Sequence, residues 1–217
     1  MSEYAVDIGG RPAAPGIWQW LFDPFTYVAG GRALALGLAA MLLAGLIGSF
    51  SYTHFDGVLD LHTGRPAATW VFLSEGLINW LSLAVVLFVF GKLASKSAFR
   101  ARDLFGTQAM ARWPMLIGAV AALAPPYRRF AAAVAENPMN IMRGTGVAVF
   151  DMVVAVLAMI VIVVMLVWMV ALMYRSYRIC CNLKGGTAVA TFVVGLFIAE
   201  GLSKVAVLWQ VVRAGGV

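Results

Sequence analysis

Charge is the scarcest feature of this chain. Only 12% of its 217 residues are Asp, Glu, Lys or Arg, against 62% hydrophobic residues and a mean hydropathy of +0.89. A water-soluble domain carries about twice that charged share, so composition already points to lipid as the solvent. Cysteine is nearly absent. Cys180 and Cys181 are adjacent, close no useful loop and exclude a disulfide framework; they read as reduced bystander thiols. There is no glycine-rich phosphate loop, no HExxH pair and no Ser/His/Asp order. The glycines of NLKGGT, Asn182 to Thr187, read as a short turn and not a nucleotide site. The opening MSEYAVDIGG lacks the basic and apolar regions of a cleaved signal peptide, so the first hydrophobic helix is expected to stay in the protein.

What the chain does have is one dominant run, DMVVAVLAMIVIVVMLVWMVALMY, Asp151 to Tyr174. Between Met152 and Met173 it holds no charge, no proline and no glycine. That length crosses the ~30 Å hydrocarbon core of a bilayer as a helix. A soluble core helix would show a polar face at the 3.6 period, and none is present.

The same reading applied along the chain predicts an all-α integral membrane domain of five crossings over 32–213. The spans fall at about 33–50, 70–93, 107–124, 147–173 and 187–209. A tail over 1–16 and a short interfacial segment over 17–31 precede them. In that segment Trp18, Trp20, Phe22 and Phe25 are expected as headgroup-level anchors. Trp18, Leu21, Phe22 and Phe25 would share one helical face, with Pro24 interrupting any continuous helix. In the first span Gly37, Ala39, Ala40, Ala44, Gly45 and Gly48 predict close helix packing. The third span is the least regular, with Arg112 and Pro114 inside it, a kink expected at the proline, and Pro125-Pro126 at its end.

Orientation follows the Lys and Arg distribution. One set of connections carries Arg11, Arg32, Lys92, Lys96, Arg100, Arg102, Arg175, Arg178 and Lys184. The other carries Arg65, Arg128, Arg129, Arg143 and Arg213. The positive-inside rule then puts the N-terminus in the cytoplasm. This placement also accounts for the net charge of +6 without a nucleic-acid partner. The partners expected are the bilayer and other membrane proteins or further copies of the chain. No cofactor is called for.

Five ionisable residues fall within spans: Glu75, Arg112, Asp151, Glu200 and Lys204. Each costs about 2.5–3.5 kcal/mol at mid-depth unless paired or facing a cavity. Glu200 and Lys204 stand at i, i+4 with the acid first, the favourable order for a pair. Under the topology above Glu75, Asp151, Glu200 and Lys204 share the outer half of the membrane, with Arg112 nearer the cytoplasmic side. Two readings stand: an ion, proton or headgroup site, or a set of structural pairs. The loop SYTHFDGVLDLHTG holds both histidines of the chain, His54 and His62, around Asp56 and Asp60. These are ligand types for a zinc- or manganese-like ion, though their spacing matches no metal motif.

Three stretches also carry a resemblance. LFDPF precedes the first span. LFGTQAMARWPMLIGAV, Leu104 to Val120, sets a glycine before the third span and Trp-Pro inside it. VWMVALMYRSYRICCNLKGGTAVATFVVGLFIAEGL closes one span, crosses a short basic turn and opens the last. This layout, from about Trp18 onward, resembles the Yip domain family, polytopic proteins related to the Rab-interacting Yip and Yif proteins, with many prokaryotic members. The resemblance implies a five-helix bundle with a cytoplasmic N-terminus. Eukaryotic members act in vesicle traffic and bind small GTPases through cytoplasmic portions. The tail here is shorter and lacks their acidic-hydrophobic region, so that activity is not carried over. The expected function is a non-enzymatic organiser of membrane or partner proteins in the inner membrane of a prokaryote. The alternative is a small transporter or channel for an ion, proton or small solute, with a lipid-acting enzyme as a third reading.

Overall fold

The computed structural model describes residues 16–136 and 146–213. The tail to residue 15 and Arg143 lie outside them. The uninterrupted run after Asp151 folds as its composition dictates, into a single helix, but it continues past Tyr174. This helix, Val149–Cys181, is 33 residues long, roughly 50 Å at 1.5 Å per residue. Nothing in YRSYRICC opposes helix, so only the local chemistry of the next turn stops it. Asn182 takes the left-handed conformation (φ 49°). Its N–H donates to the Ile179 carbonyl and that of Leu183 to the Arg178 carbonyl, the pair of bonds of a Schellman cap.

In chain order the elements are α1 (Ile17–Phe22), a 3₁₀ turn (Pro24–Thr26), α2 (Gly30–Ser51), β1 (Thr53–His54), β2 (His62–Thr63) and α3 (Thr69–Ala94). There follow α4 (Ala101–Met110), α5 (Pro114–Ala122), α6 (Pro125–Glu136), α7 (Val149–Cys181) and α8 (Gly185–Arg213). The fold is all-α apart from the two-residue strands. Among the described residues four helices, α2, α3, α7 and α8, are long and apolar enough to cross a membrane. The exposed faces of α7 and α8 carry Val153, Leu157, Ile160, Val164, Val193, Phe197, Leu202 and Val205. A surface this apolar aggregates in water and is at rest in hydrocarbon.

The expected third span, 107–124, is instead two short helices in succession, beginning earlier, at Ala101. At the junction the N–H groups of Arg112, Trp113 and Met115 donate three residues back, to Ala109, Met110 and Arg112. Pro114 has no N–H to offer, so the ladder tightens into a 3₁₀ turn and the proline becomes the first residue of α5. Pro125-Pro126 ends that rod, as expected, and also opens α6, an amphipathic helix missing from the sequence reading.

α2 lies at the centre, against α3 on one side and α4–α5 on the other; α8 packs on α3, and α7 on α4, α5 and α6. The close approach comes from Gly37 and Gly45, where a Cβ would meet the backbone of α4 and of α3 respectively. Ala44 and Gly48 share that buried face, whereas Ala39, two residues or about 200° round from Gly37, points outward. Leu83, Leu87, Leu104, Leu172, Met173 and Tyr177 fill the middle.

The bundle has two distinct ends. At one, Asn182 Nδ2 donates to Ser97 Oγ (3.0 Å) and Arg102 lies over Gly31 at the start of α2. At the other, the α2–α3 loop meets α6: Thr63 Oγ1 donates to the Tyr127 hydroxyl (3.4 Å) and Arg128 stacks over Tyr52. The α4–α5 rod therefore runs from the first end to the second. At the first end α1 docks on α7 through Phe22 against Trp168 (5.4 Å between rings), Trp168 Nε1 donating to the Leu21 carbonyl, and Arg175 on Asp23 (2.9 Å). Trp18, Trp20 and Phe22 are exposed, but Phe25 is buried in the core. The shared helical face expected for these aromatics ends with α1 at Phe22, because Asp23-Pro24 turns the chain inward.

Candidate functional site

The charged residues gather where the α2–α3 loop folds back over the bundle. Tyr52 ends α2 in the left-handed conformation (φ 53°). The chain then pairs with itself, Thr53 opposite Thr63 and His54 opposite His62. This register brings the two imidazoles side by side, 6.0 Å between ring centres, with His54 stacked over Phe72.

From α3, Glu75 and Asn79 reach this loop from one helical face. Glu75 is 1% exposed. Its Oε1 lies 2.7 Å from His54 Nδ1, and its Oε2 accepts the Phe55 N–H at 2.9 Å. Asn79 Nδ2 donates to the Phe55 carbonyl. One turn of α3 thus satisfies both backbone groups of Phe55, as a neighbouring strand would. From α8, Glu200 Oε2 accepts the Leu59 N–H (2.9 Å) and Lys204 Nζ donates to Asp60 (2.6 Å). The expected i, i+4 pair is present, Lys204 standing 3.5 Å from Glu200.

His54 Nε2 is 2.9 Å from the Arg65 carbonyl. A carbonyl can only accept, so Nε2 carries a proton, and Nδ1 shares one with the Glu75 carboxyl. Burial pulls the His54 imidazole down. The Glu75 and Arg65 hydrogen bonds, with the charges of Glu75 and Asp56, together outweigh that and raise it above its ordinary 6.5. His62 is raised mainly by Asp56, 3.2 Å away, against burial. The same contact holds the Asp56 carboxyl below its usual range, again against burial. An open cleft of about 370 Å³ borders His54, Asp56, His62, Glu75 and Lys204 along α8.

The structure brings together three of the acids and bases expected to meet, Glu75, Glu200 and Lys204, with the loop as their go-between. Asp151 is not among them. It pairs bidentately with Arg129 of α6, 2.8 and 2.6 Å, on the α6–α7 side. Arg112, expected nearer the opposite face, sits beside Phe55 and Phe72 beneath the loop. Of the four metal-ligand candidates, Asp56, Asp60 and His62 offer ligand atoms within 4.8 Å of one another, and Lys204 competes for Asp60. His54 is withdrawn from that set by Glu75 and Arg65.

Asn79 and Arg129 were missed. Asn79 had a signal, its i, i+4 spacing from Glu75. Arg129 had none, because a basic pair after Pro-Pro reads equally well as an orientation signal. In comparisons with family models, curated proteins and solved structures, the chain matches none.

Proposed function

We propose that this chain is a non-enzymatic, five-crossing membrane protein of Yip-like layout that organises membrane or partner proteins. Its N-terminus would face the cytoplasm of a prokaryote, and the α4–α5 rod would be the third crossing. The observation carrying this reading is how the polar groups at the loop end are used. Glu75, Asn79, Glu200 and Lys204 each hold the loop by hydrogen bonds to it, and beyond them Leu83, Leu87, Leu104, Leu172 and Met173 pack around one small closed polar cluster, Thr107, Gln108 and Ser176, hydrogen-bonded within itself. Groups that carry a solute across would line a passage; these fasten a lid.

Transport is the second reading, favoured by the cleft that reaches the buried His54–Glu75 pair. Substituted cysteines separate the two. Positions on the loop should react with impermeant thiol reagents from one side only, and Leu83 and Met173 in the middle should stay silent from both. Labelling of either middle position would favour transport. Photo-crosslinkers on the exposed face of α7, at Val153 and Ile160, should then capture a defined membrane-protein partner. Capture of lipid alone would end the organiser reading.

A further inference from the structure

Two arginines of this protein present the same chemical edge to opposite circumstances. The Nε and Nη2 hydrogens of a guanidinium point the same way and grip two acceptor sites, or one anion, side-on. In Arg129 that edge is filled by the two oxygens of Asp151. In Arg112 both atoms are buried without a hydrogen-bond partner among the described residues, and the residue is only 7% exposed. Arg112 borders a cavity of about 20 Å³ whose other walls are Met41, Ala44, Phe55, Phe72, Gly76 and Met115, none of them charged.

Two nitrogens so placed are shielded from bulk water with no acceptor among the described residues, which is costly unless something completes them. Glu200 attracts the guanidinium through space, but the Glu200 oxygens are engaged by Leu59 and Lys204. The cavity exceeds the roughly 10–15 Å³ that one water-sized occupant needs. It is too small for a tetrahedral oxyanion. A water would supply an acceptor but leave the charge uncompensated; a single-atom anion supplies both.

We propose that this cavity is a binding site for a small monovalent anion of chloride size, held by the Nε–Nη2 edge of Arg112 and closed over by Phe55. The test uses the purified full-length chain in detergent, with chloride exchanged for gluconate at constant ionic strength. Tm should rise saturably with chloride, equally with bromide, and not with gluconate. Arg112→Met should abolish the response. Arg112→Lys keeps the charge but loses the fork, so its half-saturating chloride should rise about tenfold, the weight of one charge-assisted hydrogen bond. Arg129→Met should lower Tm yet keep the chloride response. If Arg112→Met fails to fold, chloride NMR line broadening by the unmodified protein, reversed by bromide, carries the same test. A Tm indifferent to the choice of chloride or gluconate, or line broadening absent, overturns the proposal.

Discussion

The two ends of the bundle hold similar numbers of basic side chains and use them in opposite ways. Arg32, Lys92, Lys96, Arg100, Arg102, Arg175, Arg178 and Lys184 gather at the end where α2 begins, with Asp23 and Asp103 the acids there among the described residues. Among the described residues one ion pair forms there, Arg175 with Asp23. At the loop end His54, His62, Arg129 and Lys204 form the other ion pairs among the described residues, with Glu75, Asp56, Asp60, Asp151 and Glu200. Unpaired charge acts at long range, on headgroups and potential, and needs no fixed geometry. Paired and buried charge acts only through contact, so it needs a fold to hold it. The first end can orient a helix bundle; the second can fasten a loop.

The comparison breaks most readily at Glu75. Glu75→Leu leaves the Nδ1 side of His54 and the Phe55 N–H without a partner, and should cost about 3–5 kcal/mol. Thermal unfolding should show this, with limited proteolysis appearing first between residues 55 and 61. Gly37→Leu tests the packing beneath both ends: overpacking against α4 should cost about 1–3 kcal/mol, read in the same melt, without selective cutting of the loop. Glu200→Gln keeps an acceptor for Leu59 and weakens the attraction to Lys204 and, through space, to Arg112. A loss of about 1 kcal/mol or less is expected.

Protons sharpen the contrast further. His54 and His62 titrate above the ordinary 6.5 in the folded protein. Their contribution is therefore complete below 6.5 and lost as pH rises through the raised values. Asp56 titrates below its ordinary 3.8, so its contribution is present above 3.8 and fades as pH falls through the lowered value. Once the base-catalysed intrinsic rate is divided out, hydrogen-exchange protection at Phe55 and Leu59 should fall on the alkaline side while protection at the α7–α8 turn stays unchanged. The smallest effect belongs to the basic end. Arg175→Ala removes a half-exposed pair and should move stability by no more than about 0.5 kcal/mol. A large loss there would erase the distinction between the ends.

Some of this was legible in the residues and some was not. The long spans were legible, because apolar length is a local property; their limits shifted by a few residues, and α7 alone ran on by two turns to its Asn182 cap. The α4–α5 junction was half legible: Pro114 announced a disturbance, but not that the proline would begin a helix. Phe25 and Asp151 were misplaced for one reason. Each was judged by its position along the chain, while its neighbours came from Pro24's turn and from α6.

The sequence by itself determined the class of fold, the apolar helices and the asymmetry of charge, since these follow from composition summed over adjacent residues. Which charges meet was decided only by the tertiary structure. Glu75 finds His54 across a loop 21 residues back, and Glu200 finds Leu59 across 141. Hydrogen bonds act over about 3 Å, and no local pattern encodes a contact that exists only once α2, α3 and α8 have packed.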